Sequence, residues 1–304
     1  MGTPDQIAAC IVAFQPDAVL LEQLARAARA EAGLVYIFIN GGVGESLQTR
    51  LEDLGCTPII APYNLGVGEA FNICALAAIL AGKKQFLLLD QDSELAPGTI
   101  AALRETFDAL SAAGEEPAAV GPAIVSPPGE TYKSPRYFRR AGRAVRAGAA
   151  PVQYVISSGS LISLEAFRRV GRFRSDFFID AIDTEWCFRA WARGASCWTL
   201  PSVSMVHRIG TGVVRGAGRA IPRQSPMRLY TYVRNQTACL RMPHVPHSWK
   251  LRIAAHVIRV VFVNWLDSGR PAGFLHSMAD AARAGWCNAL GPPPGAQNAA
   301  ALSS

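Results

Sequence analysis

Two aspartates one residue apart, Asp90 and Asp92, end the apolar run in "FLLLDQDSEL" (86–95). Like charges so close repel each other unless a cation, a proton or water relieves them. Behind a buried strand, such a pair can aim oxygen ligands at one hard cation and leave room for water and substrate. Mg2+ or Mn2+ bridging to substrate phosphates suits that arrangement. An ordinary acidic turn looks the same, so the pair alone does not decide. A second cluster, Asp180, Asp183 and Glu185 in "FFIDAIDTEWCFRA", lies beside an apolar helix face. Acids there either favour the helix dipole or belong to a site.

The elements that must position these groups read as an α/β protein. "IAACIVAF" (7–14), "LVYIFIN" (34–40), "TPIIAP" and "KQFLLLD" are short apolar runs with strand character. Between them, 17–33 carries helical spacing and stops at Gly33, "SLQTRLEDLG" forms a second helix and 66–82 a third. Continuous apolar strands alternating with helices imply a mostly parallel sheet covered on both faces, where ligands collect at the carboxyl ends of the strands. Asn40 and Asp90 fall at such ends. From 111 to 151 the pattern breaks into loop with at most a short hairpin. Order returns at "VQYVISSGSLIS" (152–163), "LEAFRRVG" reads as a helix, and "SCWTLPSVSMVH" closes the core. The expected layout is a core over 1–207, a basic and mostly helical region over 208–290, and a disordered tail from 291 to 304.

The totals narrow the function classes. A chain of 304 residues, half of them hydrophobic, can bury a sizeable core. Its seven cysteines are scattered without a CxxC pair, and the five histidines show no HExxH, which argues against a structural zinc and for reduced thiols in a cytoplasm. The N-terminus lacks a basic n-region, and no apolar stretch has the length of a membrane span. The net charge of +7 hides an asymmetry: residues 1–131 hold 6 Lys/Arg against 16 Asp/Glu, and the remainder 24 against 7. The second half therefore suits an anionic partner.

In order along the chain, "IVAFQPD", "INGG", "NLGVGEAFN", "LLLDQDSEL", "SSGSLIS", "FFIDAIDTEWCFRAWARG", "VHRIG" and "RLYTYVRN" form a series. Over about 7–240 this series resembles the inverting nucleotide-sugar glycosyltransferases of family 2, and among them the bacterial rhamnosyltransferases. The resemblance implies a GT-A fold, a Rossmann-like sheet flanked by helices, with a helical C-terminal extension. It also implies roles. Phe14, Gln15 and Asn40 would hold base and ribose, Asn40 standing where the family usually has an acid. Asn64, Gly66, Gly68 and Asn72 match the family's NxGxAxAxN stretch, the glycines letting backbone approach the nucleotide; Glu69 departs from the small residue often found there. Asp92 would ligate Mg2+ or Mn2+, Asp90 metal or ribose, and His207 would complete the shell. An inverting transfer requires one base for the acceptor hydroxyl. The family's ED-x-D/E pattern places it on Asp183, with Ile182 replacing the Glu, Asp180 supplying the missing charge and Glu185 supporting. Ser158, Gly159 and Ser160 would approach acceptor or sugar, and Arg234 the pyrophosphate.

The donor implied is dTDP-rhamnose, and the acceptor a polyprenyl-diphosphate-linked or polysaccharide glycan of the bacterial surface, O-antigen among them. A UDP-hexose or UDP-galactofuranose donor, or a silent membrane-associated scaffold, are the alternatives; the carboxylates argue against silence. Nucleic acid is not expected, since no helix-turn-helix, finger or RNP-like pattern is present. "WKLRIAAHVIRVVFVNWL" (249–266) mixes Trp, Lys and Arg with a broad apolar face, as helices lying on an anionic membrane do, and as a core or dimer helix also can. A cytoplasmic enzyme, peripheral on the inner face of the cell membrane, is the expectation.

Overall fold

The computed structural model describes residues 4–42, 44–126, 137–206, 213–216, 219–293 and 296. Strand β1 (Ile7–Ala13) leads to helix α1 (Ala18–Glu31), whose first turn is capped by Asp17 accepting from the N–H groups of Val19 and Leu20 at 2.9 and 3.1 Å. β2 (Leu34–Asn40), α2 (Glu45–Asp53), β3 (Thr57–Ala61), α3 (Val67–Leu80) and β4 (Gln85–Asp90) follow in the expected alternation. Then come α4 (Thr99–Ala112), β5 (Pro117–Val125), β6 (Ala150–Pro151), β7 (Leu161–Ser163), α5 (Leu164–Val170), α6 (Ile182–Ala192) and β8 (Ser196–Val206). A hairpin of β9 (Val213–Gly216) and β10 (Arg219–Pro222) precedes α7 (Pro226–Arg241), α8 (His247–Asp267) and α9 (Ala272–Trp286).

Eight strands form one sheet in the order β3-β2-β1-β4-β7-β5-β8-β6. The pairs among β3, β2, β1 and β4, and that of β5 with β8, are parallel; β7 runs antiparallel to both β4 and β5. Alternate side chains of each strand enter opposite cores, which is why the strands read as unbroken apolar runs. On β4, Phe86 and Leu88 pack with Phe71, Trp186 and Phe188, while Leu87 and Leu89 pack with Leu21, Leu103 and Trp198. Helices α7, α8 and α9 share a smaller core of Leu229, Val233, Val260, Val263, Met278 and Ala281.

Within the stretch expected to be loop, nine residues form β5, a strand inside the sheet. "PAAVGPAIV" hides it, because prolines cannot donate to a ladder and normally mark edges. Here the register shifts between Pro117 and Ala119 and again between Pro122 and Ala123, so the pairing steps around both prolines. The run 152–163, read as ordered, contributes only three residues to the sheet; the rest is a loop over the site. At the head of the segment expected to be disordered, Gly291 is held at both polar groups. Its N–H donates to Asp176 O at 2.7 Å and its carbonyl accepts from Arg234 Nη1 at 2.7 Å.

Candidate active site

The reversed strand decides which groups meet. Because β7 runs against β4, the loop entering β7 arrives at the rim where β4 ends. Leu88 N–H donates to Ser160 O at 3.0 Å and Gly159 N–H to Leu88 O at 2.8 Å. From that loop the Ser158 hydroxyl donates to Asp90 Oδ2, and the N–H of its neighbour Ser157 donates to Asp183 Oδ2 at 2.9 Å. Two carboxylates ninety-three positions apart are thus held by consecutive residues. Asp183 sits in the first turn of α6, and its Oδ1 also accepts from Thr184 N–H at 2.7 Å.

Burial, foremost, pushes the Asp183 carboxyl above the usual carboxylate range. The hydrogen bonds from Ser157 and Thr184 pull it back in part, and the charge of Asp90 adds a push upward. Tyr137 and Tyr154 flank it, and both phenols are raised by burial and then by the charge of Asp183, so they stay protonated beside it.

On the other carboxylate, the turn after β4 is fixed by Asp90 itself: Ser93 N–H donates to Asp90 O at 3.0 Å and Asp90 N–H to Ser93 Oγ at 3.1 Å. Gln91, between the two aspartates, accepts from Phe14 N–H at 2.7 Å and ties the end of β1 to this turn. Phe14 is half-buried and Gln15, at φ +47°, is exposed at that strand end; Asp92 is exposed beyond it. Asp90 and Asp92 present hard oxygen donors on one turn. Among the described residues no group of three His, Cys, Asp or Glu side chains forms a cage. The donor set fits a Mg2+- or Mn2+-type ion that keeps substrate phosphates and water as further ligands. His207, expected in that shell, lies outside the described residues.

The chain leading into α6 is unusual. Phe178, Asp180 and Ala181 all take φ +65°, a region costing non-glycine residues about 1–3 kcal/mol each. Asp180 turns to Arg228 of α7, whose Nη2 and Nε lie 3.1 and 3.3 Å from Oδ1. The charge of Asp180, and after it those of Asp90 and Asp92, reinforces the Arg228 cation against the opposing effect of burial. Arg228 therefore stands within electrostatic reach of all three carboxylates. It was not singled out from sequence; Arg234 was. Arg234 instead donates from Nη1 to Gly291 O, from Nη2 to Phe177 O at 3.2 Å and from Nε to Asn235 Oδ1 at 3.1 Å, and is buried. This buried guanidinium is turned to the protein's own backbone and to Asn235, whereas Arg228 faces the aspartates. The i, i+7 spacing of Arg228 and Asn235, which places both on one helix face, was the available signal.

The "NLGVGEAFN" residues also act on the protein itself. Asn72 closes both sides of its amide on the backbone of Phe173, accepting at 2.9 Å and donating at 3.0 Å. Asn64 caps the turn by accepting from Gly66 N–H at 2.9 Å, and buried Asn40 accepts from Leu65 N–H at 2.6 Å. The close approach that Gly66 and Gly68 permit is to the 174–178 chain. A Cβ on Gly66 would lie 2.5 Å from Phe178 O, and one on Gly68 2.7 Å from Arg174 O. Val67 N–H, at the start of α3, donates to Phe178 O at 2.7 Å. The space these two glycines keep open is therefore taken by that chain.

Of Ser158, Gly159 and Ser160, it is Ser158 that touches a site carboxylate. Ser160 donates to Ile156 O, and the space at Gly159 (φ +78°) is filled by Met205 and Pro122. Glu185 is buried and turned to Arg189, which donates to it at 3.0 and 2.8 Å. His244 Nε2 lies 2.8 Å from Glu185 Oε1. Burial pushes Glu185 up, and its contacts with His244 and Arg189 outweigh this, leaving it below the usual range. It supports α6 as a permanent anion rather than facing Asp183.

No protein-family model matches the chain. Among curated proteins, dTDP-rhamnosyl transferase RfbF of Shigella flexneri is 30% identical over 247 residues, 79% of this chain and 81% of that one. The chain belongs to the rhamnosyltransferase-like glycosyltransferases. The structure of GalNAc-T7 with UDP, GalNAc and Mn2+ superposes on this glycosyltransferase with a TM-score of 0.56 at 15% identity, over 83% of the enzyme. S. aureus TarS does so with a TM-score of 0.50 at 13% identity over the same share. The enzyme spans 54% and 43% of those longer chains, and the likeness is one of fold. The GT-A architecture expected for this glycosyltransferase is the one it has.

Proposed function

We propose that the enzyme transfers L-rhamnose from dTDP-rhamnose, with inversion, to a hydroxyl of a lipid-linked or polysaccharide glycan. The observation that carries the reading is the meeting of Asp183 and Asp90 on one rim through Ser157 and Ser158. Asp183 takes the proton of the acceptor hydroxyl as that oxygen bonds to the anomeric carbon from the face opposite the diphosphate. The bond from that carbon to the diphosphate oxygen breaks, and dTDP leaves with the electron pair. A raised carboxyl is a stronger base than an ordinary one, and Asp183 has the environment for it. Arg228 supplies positive charge where the departing diphosphate gathers negative charge. Asp90 and Asp92 would hold a divalent cation, which when bound neutralises the diphosphate. The donor is inferred from RfbF's name, and the cation is supported by the Mn2+ of the GalNAc-T7 structure.

Helix α8 supports an acceptor presented at an anionic lipid surface. Leu251, Ala255, Ile258, Phe262 and Leu266 make one outward stripe, with Leu251 76% and Ile258 71% exposed. Lys250, Arg252 and Arg259 flank it, and no acid occurs on the helix before Asp267. A second copy seated on this stripe would bring two basic flanks together, whereas anionic headgroups complement them. Among the described residues no helix is long and apolar enough to cross a membrane.

Thermal unfolding with dTDP, UDP and GDP, each with and without Mn2+ or Mg2+, tests the donor. Stabilisation by dTDP that requires the metal is expected. A preference for UDP would transfer the reading to a UDP-sugar donor, and indifference to every nucleotide would sink the catalytic reading altogether.

A further inference from the structure

Among the groups that hold the turn entering α6 from outside, one side chain takes three of its carbonyls. The carbonyls of Phe177, Ile179 and Asp180 converge on a single amide, Asn235 Nδ2, at 2.8, 2.7 and 3.1 Å. Asn235 is fully buried on α7, and its Oδ1 accepts from Arg234 Nε, which sets the amide with its nitrogen toward the turn. The three carbonyls belong to, or directly precede, the left-handed residues Phe178, Asp180 and Ala181, none of them glycine. No local sequence preference keeps this backbone as it is; contacts from α3 and α7 do, with Val67 on Phe178 O, Arg234 on Phe177 O and Asn235 on three carbonyls at once. Two turns earlier, on the same face of α7, Arg228 grips the Asp180 carboxylate. One helix face therefore holds the backbone and the side chain of a single turn, and Asp183 follows that turn by two residues.

We propose that Asn235 is a positioning residue for glycosyl transfer, its amide holding the 178–181 turn so that Asp180 stays on Arg228 and Asp183 stays on Ser157 in reach of the acceptor. This rests on Asp183 being the base. Asn235 touches no reacting atom; it acts through the two aspartates. An aspartate at 235 has the same outline without the donors and would face three carbonyls with charge, so shape alone does not substitute. Serine offers one donor on a shorter stem and keeps part of the clamp.

The test uses the full chain, with donor KM, kcat and thermal midpoint measured for Asn235→Ala, Asn235→Ser, Ala181→Gly, Ala181→Gly combined with each of the two 235 variants, and Asp183→Asn. Displacing the base by about 1 Å costs on the order of 100-fold in rate, so Asn235→Ala is expected to lose about that in kcat while donor KM moves less than about threefold. Asn235→Ser is expected to fall between. Glycine at 181 relieves a left-handed residue, so Ala181→Gly is expected to return at least about half of the thermal midpoint lost at 235 over and above its own effect in the wild-type chain, a coupling that independent packing defects do not show. A kcat within about twofold of wild type in Asn235→Ala, a loss carried wholly by KM, or additive midpoints for 181 and 235 would each overturn the proposal. If Asn235→Ala does not fold, the Asn235→Ser, Ala181→Gly pair must, and its failure to do so also overturns it. Wild-type turnover in Asp183→Asn removes the base assignment alone; the coupling between 181 and 235 then still decides the clamp.

Discussion

Replacing Gly66 by alanine tests the packing on which the site depends, and Gly98→Ala is its matched control. Both glycines have nearly the same φ, +83° and +82°. At Gly98 a new Cβ meets nothing within 4 Å, so the cost is conformational, about 1 kcal/mol. At Gly66 the Cβ would lie 2.5 Å from Phe178 O, 2.7 Å from its ring and 2.8 Å from its Cα. Ordinary carbon–oxygen contacts begin near ~3.3 Å, so the Phe178 backbone must retreat by somewhat less than ~1 Å. That retreat lengthens the Val67–Phe178 hydrogen bond and leaves a helix-start N–H unsatisfied, for ~1–3 kcal/mol. The backbone at Gly66, with ψ 163°, is nearly glycine-only and adds ~1–3 kcal/mol. The total is roughly 4 kcal/mol, or about 8–16 °C in thermal midpoint, against about 2–4 °C for Gly98→Ala. Because Asp183 lies five residues beyond Phe178, initial rates are expected to fall on the order of 100-fold in kcat, with donor KM little changed. Equal midpoint losses in the two variants would refute the contact. A rise in donor KM at unchanged kcat would refute the reasoning and return Gly66 to the nucleotide.

Catalysis by ionised Asp183 implies an acid limb in kcat that lies above the usual carboxylate range; a limb at or below that range counts against the base. The same raised carboxyl means that the folded chain binds more protons than the unfolded one between the ordinary and the raised value. Stability should therefore fall as pH rises through that window, a slope that Asp183→Asn removes from midpoint-against-pH curves. Arg228→Ala is expected to lower kcat/KM by roughly 30- to 1,000-fold, with Arg228→Lys intermediate because it keeps charge without the paired contact; equal activity of all three would exclude a role at the diphosphate. Leu251→Glu, Ile258→Glu and Phe262→Glu together should abolish flotation with phosphatidylglycerol vesicles while sparing transfer to a water-soluble acceptor, and unchanged flotation would dismiss α8 as the docking face.

The sheet and the carboxylates were legible because each depends on local chemistry. Apolar runs of β1, β2 and β4 name buried strands, and acids at strand ends and helix starts stand out from them. What escaped depends on partners far along the chain. β5 carries prolines that only a register shift against β8 makes tolerable. Asn72 looks like a ligand in a motif, yet its amide is consumed by Phe173, 101 residues away. Arg228 and Arg234 are equivalent in composition, and only the rotation of α7 decides which faces the aspartates.

The joint support of Asp90 and Asp183 by Ser158 and Ser157 has a mechanical consequence. The two hydrogen bonds leave adjacent residues, so the separation of the carboxylates is tied to the length of one dipeptide. The gap that a donor and an acceptor would share is thus gauged by one peptide unit, although a strand and a helix far apart in the chain carry the two acids.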